Sequence, residues 1–206
     1  MNTWRRTAFF CFLEGGLGVA ALLAVRGWGL DQRAAGLASP RWLGPEELLR
    51  SIGVGILAAG PLLLLLISTR HTPLRQLVET VVLPPFRGMS WLELALISIA
   101  AGWGEEILFR GWIQTGLQWW WPGRLGMAAG WVWASLMFGA MHWLSNDYLL
   151  LACVVGLYLG GCLMASRDLV VPITSHAVYD FAALVYLLHV TKPPLDAEDS
   201  SITKGW

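Results

Sequence analysis

Several runs of this chain stay apolar for about the 20 residues that a helix needs to cross hydrocarbon, and that property leaves few folds open. Peptide groups placed in lipid must be satisfied within the segment that carries them, so runs of this length read as helices. About six qualify, near residues 7–25, 48–68, 90–120, 125–144, 148–165 and 169–190. Charged residues make up only 14% of the chain against 56% apolar ones, whereas a soluble domain is about one quarter charged. The expected fold class is therefore an all-α integral membrane protein, a bundle of about six transmembrane helices plus a short interfacial helix.

Arg5 and Arg6 ahead of the first run imitate a secretory signal. The run is long enough to span, and no small-x-small cleavage site follows it, so an uncleaved first helix is expected. The interfacial helix is read from Leu74, Leu77, Val78, Val81 and Val82, which share one face opposite Arg75, Gln76, Glu79 and Thr80. Pro84 and Pro85 end it. The third run is too long for a simple crossing and should tilt, bend near Gly102 and Gly104, or protrude before Pro122 stops it.

The chain divides into N-terminal helices with the interfacial segment (1–89), a helical core (90–190) and a flexible polar tail around "DAEDSS" (191–206). No internal repeat supports a transporter built from duplicated halves. Loop 26–47 carries Arg26, Arg33 and Arg41, and the basic residues fall almost evenly on the two sides, so the positive-inside rule leaves orientation open. The balance of 14 basic and 14 acidic side chains gives no field for nucleic acid, which leaves membrane lipid as the expected surroundings. Cys11, Cys153 and Cys162 lie in apolar segments without a regular spacing and read as small buried hydrophobes. The 13 tryptophans, with "WWW" at 119–121, suit interfacial anchoring or core packing equally.

Ionised groups are costly in hydrocarbon, so those inside the runs carry the information. In "GWGEEILFRGW" Glu106 and Arg110 are four apart and share a helix face, where they can form an ion pair. Glu105 is rotated by about 100° and left free for chemistry. "FGAMH" sets Phe138 four residues before His142, and "HAVYD" sets His176 four before Asp180. Singly, each pair could merely fix helix packing. Together, three helices bring a carboxylate base, two imidazoles and a further carboxylate to similar depth, a set able to activate water and stabilise an oxyanion.

In this order and on these helices, "EEILFR", "FGAMH" and "HAVYD" resemble the E-E-x-x-x-R, F-x-x-x-H and H-x-x-x-N/D signatures of the CAAX protease and bacteriocin-processing (Abi) family of intramembrane endopeptidases, the type II CAAX prenyl endopeptidase-like proteins. The stretch "GLYLGGCLMASRDLVVPITSHAVYD" adds to the likeness, which covers roughly residues 90–185. The resemblance implies that Glu105 and His142 activate the attacking water, and that His176 and Asp180 orient it or stabilise the oxyanion. It also implies that Glu106 and Arg110 brace the site, and that Phe138 shapes the pocket. Asp180 stands where the prenyl-processing branch commonly has Asn; a carboxylate donates a hydrogen bond only when protonated, so Asp180 is read as an acceptor that fixes the tautomer of His176. The implied substrate is a peptide or a lipidated protein, and the implied location a bacterial-type cytoplasmic membrane.

No cofactor is favoured. If the protein were metal-dependent, zinc held by Glu105, His142, His176 and Asp180 would be the arrangement; against it, no helix carries H-E-x-x-H. Two further classes compete with the enzyme. One is a non-catalytic adaptor or bacteriocin-immunity protein on the same fold. The other is an ion carrier, for which only Glu14 and Glu93 extend the polar path; Asp147 and His189 read as interfacial. Oligomeric state is left open by the sequence.

Overall fold

The computed structural model describes residues 2–29 and 44–190. The acidic tail at 191–206 and the loop residues Arg33 and Arg41 lie outside them. The described chain consists of helices α1 (Thr3–Gly27), α2 (Pro45–Ser68), α3 (Pro73–Leu77), α4 (Trp91–Glu106), α5 (Thr115–Trp120), α6 (Arg124–Met141), α7 (Asn146–Ser166) and α8 (Val170–Val185), joined by short π and 3₁₀ turns. It is an all-α membrane protein.

Four helical stretches are each long and apolar enough to cross a membrane, Thr3–Gly27, Pro45–His71, Asn146–Ser166 and Val170–Leu188. The other two of the six expected crossings look different. Residues 91–120 form one rod divided into α4, a π-helical segment Ile107–Gln114, and α5. Helix α6 begins with an arginine and stops at Met141, short of the expected 144. Side chains such as Phe12, Leu57, Leu64 and Leu125 stay largely exposed on the outer faces, as surfaces against lipid must.

A bend near Gly102 and Gly104 was one of three ways the long rod could be accommodated; the helix instead turns irregular at the π-helical segment 107–114. The two glycines are instead sites of close crossing. A Cβ at Gly102 would lie 2.8 Å from the carbonyl oxygen of Ile173 on α8, and one at Gly104 only 2.0 Å from that of Glu14 on α1. Hydrogen alone fits at both positions, so α8 and α1 both close on α4 within the turn that leads into Glu105.

Caps fix where the helices begin. Ser90 and Glu93 form a reciprocal capping box at the start of α4, and Glu93 also accepts from the hydroxyl of Thr7 on α1 at 3.3 Å. This employment explains Glu93 without an ion path. Between α7 and α8 the chain turns at Arg167, whose φ of 54° is left-handed. Asp168, fully buried, then accepts from the amide of Val170 at 3.0 Å and from the hydroxyl of Ser51 on α2 at 2.6 Å. That carboxylate seats the first turn of α8 and ties it to α2.

The segment read as interfacial is helical, as α3 followed by a π turn at Val78–Val82 and a 3₁₀ turn at Pro84–Phe86. Arg75 and Glu79 pair along it. Arg6 donates to the carbonyls of Pro85 (2.7 Å) and Arg87 (3.1 Å), and Phe10 stacks on Phe86. An arginine that reads as a membrane flank thus pins this segment to α1.

Candidate active site

Glu105 and Glu106 occupy different surroundings, because one residue of helical phase separates them. The Glu106 side chain is completely buried. Its Oε1 lies 2.9 Å from Nη1 of Arg110 and 2.9 Å from Nδ1 of His176. Arg110, equally buried, donates from Nη2 to the carbonyl of Gly156 on α7 at 3.0 Å and sits 4.7 Å above the ring of Phe138. One turn further on, buried Gln114 donates to the carbonyl of Gly160 at 3.2 Å. Gly160 leaves the room for this, since a Cβ there would lie 2.7 Å from Oε1 of Gln114, whereas at Gly156 the room is taken by Ser135 of α6.

Sequence spacing pairs Glu106 with Arg110 alone. The contact with His176 comes from a different helix, 70 residues away, and no helical periodicity reveals it. Gln114 was likewise missed; the Gly156 and Gly160 spacing on α7 was the available signal for a close approach there.

His176 is held from both sides. Its Nδ1 faces Glu106, and its Nε2 lies 3.3 Å from Oδ2 of Asp180, one turn along α8. Two carboxylates, rather than Asp180 alone, therefore hold this ring.

Glu105 opens onto a cavity of about 310 Å³. Its Oε2 is buried without a hydrogen-bond partner and lies 3.8 Å from Nε2 of His142, too far for a direct bond. His142 is the residue that caps the end of α6. Its ring stacks on Phe138, with centroids 4.5 Å apart, and its Nδ1 lies 2.8 Å from the carbonyl oxygen of Phe138. A carbonyl can only accept, so Nδ1 donates to it and Nε2 is the ring nitrogen turned towards Glu105. Phe138 is thus packed between the arginine of the buried network and the imidazole of the open one.

All four candidate residues, Glu105, His142, His176 and Asp180, line this one cavity. Glu14, Tyr148 and Tyr179 share its polar end, while Phe10, Leu66, Leu74, Val78, Leu184 and Leu187 give it a long apolar wall. Among the described residues no group of three or more His, Cys, Asp and Glu side chains is arranged to hold a metal ion. Of the four residues of the zinc set, His176 already has both ring nitrogens facing carboxylates.

Residues 87–182 match the model of the family described as type II CAAX prenyl endopeptidase Rce1-like. No curated protein and no solved structure matches the chain. The family found is the one that the three motifs suggest, and the matched stretch holds every candidate residue of the site. It supports a CAAX-type intramembrane protease, a hydrolase, in general outline.

Proposed function

Taking residues 87–182 as a domain of the Rce1-like CAAX proteases, we propose that this protein is an integral-membrane endopeptidase of a bacterial-type cytoplasmic membrane, in which Glu105 and His142 activate water. The observation that carries the reading is the facing pair, an unpartnered carboxylate oxygen and an imidazole nitrogen 3.8 Å apart at the edge of a cavity. A gap of that size between polar atoms suits a bridging water. That water gives a proton to Glu105 as its oxygen bonds to the peptide carbonyl carbon. The carbonyl oxygen takes the negative charge of the tetrahedral intermediate. Collapse breaks the C–N bond, and the proton passes from Glu105 to the leaving amine.

His176 and Asp180 orient the substrate carbonyl or stabilise its oxyanion from the opposite wall, while Glu106 and Arg110 hold His176 in place. The apolar length of the cavity supports a lipidated protein or an apolar peptide as substrate. Water activation on this reading needs no metal.

The test is cleavage of an internally quenched farnesylated CAAX peptide by the purified protein. Glu105→Gln should abolish turnover while the protein remains folded; turnover at the native rate would overturn the assignment. Turnover abolished by chelation, with stoichiometric zinc in the purified protein, would replace the metal-free mechanism. A cellular phenotype that survives Glu105→Ala would favour the adaptor reading.

A further inference from the structure

Glu14 stands in the wall of the reaction cavity, yet the mechanism above leaves it idle, and it lies outside the stretch matched to the family. Its position is set by backbone packing. The carbonyl oxygen of Glu14 fills the space where a Cβ of Gly104 would be, and four residues on, Gly18 packs against the ring of Trp103 so closely that a Cβ would come within 2.4 Å. Helix α1 cannot slide or rotate without striking α4. Residue 14 is therefore registered against the residue that immediately precedes Glu105.

The side chain is unspent. Oε2 of Glu14 is buried and has no hydrogen-bond partner. Buried acceptors are nearly always satisfied, and one left open beside a cavity points to a group that binds there. Electrostatic interaction with Asp180, His176 and Glu105 places it among the reacting groups rather than at a remote end of the cavity.

A peptide drawn into an apolar cavity brings main-chain N–H groups that have lost water and need acceptors. The carboxylates around His176 are partly engaged, since Oε1 of Glu106 faces Arg110 and His176 and Oδ2 of Asp180 faces His176, and on the reading above Glu105 holds the attacking water. Carbonyl groups of the surrounding helices are bonded within their own helices.

We propose that Glu14 is a substrate-binding residue that accepts a main-chain N–H of the bound peptide beside the scissile bond, and thereby sets the scissile carbonyl over the water between Glu105 and His142. The inference rests on the hydrolytic reading above. It assigns to the first helix a share of substrate recognition, where anchoring alone would require no acid.

The experiment uses the full chain in detergent micelles and the quenched farnesylated peptide, together with a series in which each non-scissile amide N–H is replaced in turn by an ester oxygen. Glu14→Ala should raise KM roughly 10-fold with a smaller loss in kcat, the effect of removing a hydrogen bond to a charged group. Glu14→Gln keeps an acceptor oxygen and should recover most of that loss. On one ester substrate, the one lacking the N–H in question, the Glu14→Ala penalty should disappear. A penalty equal on every substrate, or a native KM in both variants, overturns the inference. If Glu14→Ala does not fold, Glu14→Met, of similar size and without an acceptor oxygen, takes its place in the ester series: a KM penalty that disappears on one ester supports the contact, and a penalty equal on every substrate, or none at all, overturns it. Glu105→Gln separates the two levels. An inactive Glu105→Gln beside an unaffected Glu14→Ala removes only this inference, whereas an active Glu105→Gln, or a native protein that leaves the peptide intact, removes the hydrolytic reading and this inference with it.

Discussion

Two neighbouring carboxylates, Glu105 and Glu106, differ in what surrounds them more than in anything chemical. The Glu106 region is sealed: guanidinium and imidazole both face Oε1, the guanidinium also reaches a helix carbonyl, and Oε2, buried without a partner, does not line the cavity. The Glu105 region is left open, with an oxygen that has no partner, a histidine out of direct reach and a cavity in front. Membrane proteins tolerate buried charge when it is paired, and unpaired charge marks a site of function. The contrast therefore separates what holds the bundle together from what acts, and each half of it can be attacked.

The largest effect expected is on rate. Glu105→Gln removes the base and should lower turnover by about 10²–10⁴-fold, the usual worth of positioned acid–base catalysis. The same substitution removes no satisfied contact, so the thermal midpoint in detergent should hold or rise. A variant that lost activity by unfolding would erase the distinction between the two regions.

Arg110→Met makes the opposite experiment. It leaves Glu106 buried beside His176 with no cation, and breaking one side of a buried pair costs about 3–5 kcal/mol. Denaturant or thermal unfolding should show that loss, and activity should fall with it because Glu106, which holds His176, loses its counter-charge. Replacing both partners, Glu106→Gln with Arg110→Met, should return a good part of the stability. If the single Arg110→Met variant is as stable as the native protein, the network is not structural.

Gly104→Ala tests the contact through which the two regions share helix α1. The added Cβ meets a backbone oxygen, which cannot rotate away, so α1 must shift by a fraction of its diameter. Overpacking of this kind costs about 1–3 kcal/mol. Activity should suffer more than that stability loss implies, because the cavity wall at Glu14 moves. The same change at Gly53, where a Cβ would meet nothing, is the control and should be neutral.

What the sequence made legible follows one rule: it showed contacts within a helix and concealed those between helices. Glu106 with Arg110 and His176 with Asp180 are four residues apart, and both pairs are present. The split between Glu105 and Glu106 follows from phase alone. The link from Glu106 to His176, the tie from Ser51 to Asp168 and the clamp of Arg6 on Pro85 span 70, 117 and 79 residues, and nothing periodic encodes them. Gly102 and Gly104 suggested a bend because glycine is read locally as flexibility, whereas the bundle uses them for proximity. The π turn at 107–114 has no sequence marker comparable to proline. Glu14 was visible as a charge in an apolar helix, but its companions were not.

The smallest effect expected is at the Arg75 and Glu79 pair on the interfacial segment. These residues have the spacing of Glu106 and Arg110 and similar chemistry, but they keep 16% and 31% of their side-chain surface. Solvent screens partly exposed charges, and exposed pairs of this spacing contribute about 0.3–0.5 kcal/mol. A double-mutant cycle with Arg75→Ala and Glu79→Ala should return a coupling energy below about 1 kcal/mol that shrinks as salt is raised. The corresponding cycle on Glu106 and Arg110 should be several times larger and insensitive to salt. Equal couplings at the two sites would mean that burial is not what distinguishes them, and the division between a structural and a reactive glutamate would have to rest on geometry alone.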